Sequence, residues 1–213
     1  MNKLSQFASI VGLAAALAAP AQAALTNNPG DIVPVGGQVD FEAFDGLITA
    51  GPEMLNGTLV FTGDPGSILG AFIADLNTNG LWGAGNKFAA TDLQGELRFS
   101  FAGGQFVQGV GALVNHFEED GTPRSVVVSA FGLNNELIET HTVMVNTAPD
   151  SLNEGLFIGI TRPMAEITSI SFSGYGLVLD NLSYTAPVPE PASLLLLAAG
   201  MAAVGFVVRR RKP

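Results

Sequence analysis

The chain predicts an all-β fold, a single two-sheet β-sandwich over residues 24–186, and three observations predict it. Short apolar or alternating runs recur at intervals of about 8–15 residues. Clusters of Gly, Asn, Asp and Pro separate them, and no amphipathic helix of about ten residues or more interrupts the series. Finally, two uncharged apolar stretches lie at the two ends of the chain and leave the middle as one undivided domain. In order, an N-terminal signal peptide (1–23), the sandwich (24–186) and a C-terminal segment with a transmembrane helix (187–213) are expected.

The first element opens with Met1-Asn2-Lys3, continues in an apolar run from Leu4 to Ala19, and closes on Pro20 and Ala21-Gln22-Ala23. A basic start, a short apolar stretch and small residues at Ala21 and Ala23 are the parts of a secretory signal peptide cleaved after Ala23. An amphipathic helix of the folded domain is the plainer alternative, but Gly12, the Ala-rich run and Pro20 suit it less well. Residues 24–57 are rich in Gly and Pro, and only Val39–Phe44 looks strand-like there, as an edge strand or an irregular wrap.

Nine further strands are expected: Thr58–Phe61, Leu69–Asp75, Gln94–Phe101, Phe106–Phe117, Ser125–Phe131, Leu137–Val145, Gly155–Ile160, Ile167–Ser173 and Leu177–Tyr184. The clearest alternation puts Leu97, Phe99 and Phe101 on one face, with Glu96, Arg98 and Ser100 on the other. Val126, Val128 and Ala130 share a face opposite Val127, Ser129 and Phe131, as in a strand near the middle of a sheet. Turn residues mark the limits at Asp64-Pro65-Gly66, Asn77-Thr78-Asn79-Gly80, Gly103-Gly104 and Asn134-Asn135. About 163 residues and this many strands make one sandwich of jelly-roll or Greek-key connectivity.

Beyond the sandwich, Ala192–Val208 is free of charge and is followed at once by Arg209-Arg210-Arg211-Lys212. At about 1.5 Å per residue it covers roughly 25 Å, enough for a short membrane span. The basic cluster stays cytoplasmic by the positive-inside rule, which leaves the sandwich outside. A buried core helix would leave four consecutive cations without partners. Just before the span, Pro189 and Pro191 flank Glu190 and hold the chain extended between domain and membrane.

Composition narrows the function classes. The 213 residues are 47% hydrophobic and 13% charged, with no Cys, which excludes a disordered chain, a disulfide scaffold, a Cys nucleophile and a Cys-ligated metal. The net charge of −10 hides a steeper middle, where Lys87, Arg98, Arg124 and Arg162 oppose 18 carboxylates over residues 24–186. Such a domain repels phosphate backbones, so nucleic acid is not an expected partner.

Catalysis is not expected. His116 and His141 belong to no metal-binding spacing, no Gly-x-Ser-x-Gly elbow is present, and the strand carboxylates Glu96, Glu136 and Glu139 are spaced as solvent-face residues. A glycoside hydrolase would need two carboxylates about 5–10 Å apart in a cleft. One ligand-like motif is Asp75-Leu76-Asn77-Thr78-Asn79-Gly80, the first half of a calcium loop with oxygens from Asp75, Asn77 and Asn79. Its twelfth position is Asn86, not a bidentate carboxylate, so affinity would be weak; an Asn-rich turn capped by its own side chains is the other reading. Trp82 and Tyr175, each set among glycines, are candidates for stacking on a sugar ring or for the core.

Pro189-Glu190-Pro191, the apolar span and the terminal Arg-rich cluster together resemble the tripartite sorting signal of PEP-CTERM proteins. That resemblance covers about 25 residues, and it implies recognition by an exosortase, a membrane protease-transpeptidase that removes the hydrophobic tail. It further implies an inner-membrane intermediate, then a place at the cell surface or in extracellular polysaccharide of a biofilm matrix, with a non-enzymatic structural or binding role. A permanent single-span anchor would use the same residues. The middle is also similar, loosely, to jelly-roll ectodomains of such proteins through Gly80–Gly85, 126–131, 156–159 and 179–184, an architecture shared with carbohydrate-binding modules. On that likeness alone, a calcium ion joining first and last strands would draw on Asp40, Glu42 and Asp180, and a lectin-like module is the alternative function.

Overall fold

The computed structural model describes residues 24–119, 122 and 124–188. Among them the regular structure is strand, with three single turns of 3₁₀ helix and no α-helix. In chain order the strands are β1 (Ala24–Thr26), β2 (Val35–Val39), β3 (Leu47–Ile48), β4 (Glu53–Met54), β5 (Leu59–Gly63), β6 (Ile68–Ala71), β7 (Ala74–Asp75) and β8 (Leu81–Trp82). There follow β9 (Phe88–Ala90), β10 (Gln94–Phe101), β11 (Gly109–His116), β12 (Ser125–Phe131), β13 (Leu137–Met144), β14 (Leu156–Thr161), β15 (Ser169–Tyr175) and β16 (Leu177–Thr185). The expected signal peptide and transmembrane helix lie outside the described residues. Among those described, no helix is long and apolar enough to cross a membrane.

Two antiparallel sheets form the sandwich. The larger has eight strands in the order β1-β14-β11-β16-β9-β6-β3, with β2 also paired to β16, and the smaller has six in the order β13-β12-β15-β10-β5-β4. Strand alternation explains the packing between them. Leu97 and Phe99 of β10 lie opposite Phe172 and Ile170 of β15, and β12 puts Val128 and Ala130 opposite the same pair. All of these are buried, with Phe41, Phe61 and Phe99 meeting at ring separations of 6.1 and 5.7 Å. Each buried Phe or Leu contributes about 2–3 kcal/mol of apolar transfer. Across the sandwich, Phe101 packs edge-on against Tyr184 at 5.2 Å, and Asn56 Nδ2 donates to the Tyr184 hydroxyl.

A third, two-stranded sheet, β7-β8, covers part of the outer face of the large sheet. Under it Leu76, Trp82, Phe88, Ala90 and Val178 form a second apolar cluster. This cover explains why β16 is buried on both faces from Leu177 to Asp180, where simple alternation would expose every other residue.

Two expected strands are moved by glycine. The strand-like stretch Val39–Phe44 forms its pairing earlier, as Val35–Val39, because β2 crosses tightly over the end of β16: a Cβ at Gly36 would meet the Ala186 backbone at 2.4 Å, and one at Gly37 the Tyr184 hydroxyl at 2.3 Å. Phe41, at φ +58°, then turns the chain out of the sheet. Leu69–Asp75 is split in the same way. Gly70 is left-handed at φ +73° and Ile73 at φ +54°, so the chain leaves the large sheet after Ala71 and restarts as β7.

Gly83, at φ +78°, gives one direct test of this packing. A Cβ there would lie 1.9 Å from Cε1 of Phe88, within the second cluster. Gly83→Ala is expected to destabilise the domain by about 2–4 kcal/mol, seen as a lower urea midpoint at unchanged slope. An unchanged midpoint would show that the β7-β8 cover is not part of the cooperative fold.

Candidate functional site

The best-defined candidate is the place where the chain leaves the sandwich. Thr185 ends β16, and its hydroxyl accepts from the backbone N–H groups of Gln108 and Gly109 at 2.9 and 3.2 Å. Ala186 N–H then donates to Pro34 O at 3.2 Å. Two residues later, Val188 exchanges both backbone hydrogen bonds with Phe106, each 2.8 Å. The sandwich therefore holds the chain up to Val188, immediately before the Pro-Glu-Pro sequence. Pro189, Glu190, Pro191 and the cluster Arg209, Arg210, Arg211 and Lys212 lie outside the described residues, as do Ala21 and Ala23. Ala24, the residue after the expected cleavage point, already pairs with Thr161 as the first residue of β1.

The structure separates the three oxygen donors of the Asp75–Gly80 loop. Asp75 Oδ1 accepts from Asn77 N–H at 2.8 Å, and Asn77, at φ +59°, donates to Glu119 O. Asn79 turns inward instead and is buried. Its amide donates to His116 O at 2.9 Å, while its backbone carbonyl accepts from Asn115, Thr147 and Ser151. This is the geometry of a turn capped by its own side chains and nailed to the body through Asn79. Sequence reading missed the partners, because Asn115, Thr147 and Ser151 are remote in the chain and carry no motif. His116, buried beside them, places Nε2 2.8 Å from Val145 O and Nδ1 3.1 Å from Phe117 O.

Asp40, Glu42 and Asp180 do meet electrostatically. Asp180 lies on β16 with only 6% exposure, and burial pushes its carboxyl up to about 7, against the lowering effect of the Asn181 N–H bond and with added repulsion from Asp40 and Glu42. Asp40 Oδ1 caps Glu42 N–H, and Glu42 Oε1 accepts from Lys87 N–H at 2.8 Å. Among the described residues, no three His, Cys, Asp or Glu side chains are grouped closely enough to hold a metal ion.

A carboxyl whose folded value is raised binds more protons in the native state than in the unfolded one. Its stabilising share is full below the unfolded value of 3.8 and is lost as pH rises through about 7. Asp180→Asn is thus expected to leave stability at pH 4 little changed, to raise it by a few kcal/mol at pH 8, and to flatten the slope between. Urea midpoints measured across that range check it. If millimolar calcium raises the melting temperature of the parent but not of Asp180→Asn, a cation quiets the cluster; a shift in neither removes calcium from this site.

The two aromatic candidates part company. Trp82 is 3% exposed and packs edge-on to Phe88 at 6.4 Å, with Gly155 against its far side, so neither ring face is open to a sugar. Tyr175 is half-buried on the outer face of the six-stranded sheet, and the Arg124 guanidinium lies 4.1 Å from its ring centroid. Together they border an open groove of about 360 Å³ lined also by Gln94, Ser125, Val127 and Ser173. Such a lining of hydroxyls, an amide and a stacked guanidinium suits a small polyhydroxylated ligand.

A closed sandwich whose last residues run straight into a Pro-Glu-Pro sequence, an apolar stretch and a basic end defines a folded domain delivered by a C-terminal sorting signal. Residues 187–212 match the PEP-CTERM protein-sorting motif. That motif implies an exosortase as partner, export, and sorting through a membrane-anchored state. No curated protein matches the chain. Among solved structures, a DUF4465 family protein from Bacteroides caccae ATCC 43185 is similar at 8% identity with a TM-score of 0.40, over 79% of this chain and 100% of that one.

Proposed function

We propose that this chain is a non-enzymatic surface or matrix protein, anchored in the inner membrane by residues 192–208 until an exosortase acts at Pro189-Glu190-Pro191. Residues 1–23 direct export, and Arg209–Lys212 set the orientation. The ectodomain, read as a Greek-key or jelly-roll sandwich because successive strands from β10 to β16 mostly cross between the sheets, then serves in extracellular polysaccharide. The observation that carries this reading is the sorting motif at 187–212, whose first residues run on from β16 through Val188, paired with Phe106. Intact-mass measurement of the protein from membrane and extracellular fractions of its host tests it. Loss of residues 1–23 and of everything beyond the Pro-Glu-Pro region is expected outside the cell. An intact C-terminus found only in the membrane would replace sorting with a permanent anchor.

A lectin-like role is the second reading, supported by the groove at Tyr175 and Arg124. If the ectodomain retains host exopolysaccharide through that groove, Tyr175→Ala with Arg124→Ala abolishes retention while the fold persists. Undiminished retention would move the contact elsewhere.

A further inference from the structure

From the register of its strands and the distribution of its charge, we infer that the end of the sandwich built by Val33, Leu133, Met164 and Val188 rests on the lipid headgroup layer while the chain is anchored. The inference rests on the anchored intermediate proposed above and adds to it a membrane-facing surface with a defined orientation.

The registers gather these residues at one end. In the large sheet Ala24 and Gly109 both pair with Thr161, and Val35 pairs with Thr185. In the small sheet Phe131 pairs with Ser169 and Leu137. The two are stitched by the Val107–Ile167 and Phe106–Val188 bridges and by the Thr168 hydroxyl donating to Gly132 O at 2.7 Å. At that end Val33, Leu133, Met164 and Val188 are each at least 40% exposed. Glu166, beside Met164, is neutralised by Arg162 at 2.6 Å. Leu133 stands in the turn from Gly132 to Glu136, whose one charged residue is the exposed Glu136.

The opposite end, where Gln94 pairs with Tyr175 and His116 with Leu177, differs in charge rather than in apolar exposure, since Leu81, Leu93 and Leu152 are exposed there too. Its loops carry Asp64, Asp75, Asp92, Glu118, Glu119 and Asp150. Against a bilayer with anionic lipid, that end, with six carboxylates, is repelled more strongly than the Val188 end, where Glu136 is exposed and Glu166 is paired with Arg162.

Chain length keeps this end near the membrane. Only three residues separate Val188, fixed to Phe106, from Ala192 at the start of the apolar stretch. Four Cα–Cα steps span at most about 14 Å, and the headgroup layer of one leaflet is about 5–8 Å thick. Val188 is thereby held within about 14 Å of the apolar stretch, close enough for the side chains around it to reach the interface, where apolar groups gain by partial burial.

The chain has no Cys and one Trp, which makes the test clean. Val33→Cys, Met164→Cys and Asp75→Cys, each in the full chain and each carrying one fluorophore, are placed in phosphatidylcholine vesicles with phosphatidylglycerol and a headgroup nitroxide lipid. Flotation with the vesicles reports anchoring separately. Emission at positions 33 and 164 is expected to fall by about half, with position 75 and Trp82 unaffected. Flotation with equal quenching at all positions, or with none, overturns the orientation and leaves the anchor standing. A chain that does not float overturns the anchor and this surface with it.

Discussion

Replacing Pro189-Glu190-Pro191 with three alanines is expected to leave the full-length chain in the membrane fraction, with the extracellular form falling to background. The physical reason is conformational as well as chemical. Proline disfavours helical backbone in the residue before it and supplies no N–H donor, and an extended segment is what a protease takes up, so losing both prolines is expected to weaken recognition. Alanine is the best helix former, so three of them favour the opposite backbone conformation. A second variant, Glu190→Gln, keeps the prolines and removes only the charge. If it too is retained, the carboxylate is read directly; if it is processed normally, the extended shape suffices. Unchanged release of the triple alanine variant would end the exosortase reading.

The largest stability effect is expected at Asn115. This fully buried amide donates to Glu154 O at 3.0 Å, Thr147 Oγ1 at 3.1 Å and Asn79 O at 3.3 Å, and its own oxygen accepts from His116 N–H at 2.8 Å. Asn115→Ala strands these groups away from water and opens a small cavity, a combined cost of about 3–5 kcal/mol. Chemical denaturation measures the total. Amide hydrogen exchange should show the loss first in the loops 75–80 and 145–154, which Asn115 ties to β11. A loss below about 1 kcal/mol would mean that the loops hold themselves.

Strands with strict alternation were legible from end to end. Gln94–Phe101 and Ser125–Phe131 form with the expected bounds, because every second side chain has a core partner and a one-residue slip would expose all of them. The two-residue strands Leu47–Ile48 and Glu53–Met54 were not legible, since nothing local makes them strands; β6 and β5 supply their pairing. The candidate sites divide along the same line. The Asp75–Gly80 spacing fits an oxygen ring, but the orientation of Asn79 is decided by Thr147, Ser151 and Asn115, which no local spacing could announce. The meeting of Asp40, Glu42 and Asp180 followed from an architectural likeness, and Arg124 over Tyr175 followed from nothing in the pattern. The sorting signal was readable in full because it works as a linear sequence, with order and distance along the chain as its only geometry.

The position of β16 governs how this molecule bears force. β16 is paired along both edges, with β11 on one side and β9 and β2 on the other, and its last residue points toward the tether. Tension on the tether acts along the strand, while ladder hydrogen bonds lie across it, so the bonds are loaded together in shear and cannot open one after another like a zipper. Beyond that ladder stand the Ala186 N–H bond to Pro34 O and, last in the chain, the two bonds between Val188 and Phe106. Under a pull applied beyond Val188, the Val188–Phe106 pair gives way first and releases a few residues of slack before the ladder is loaded.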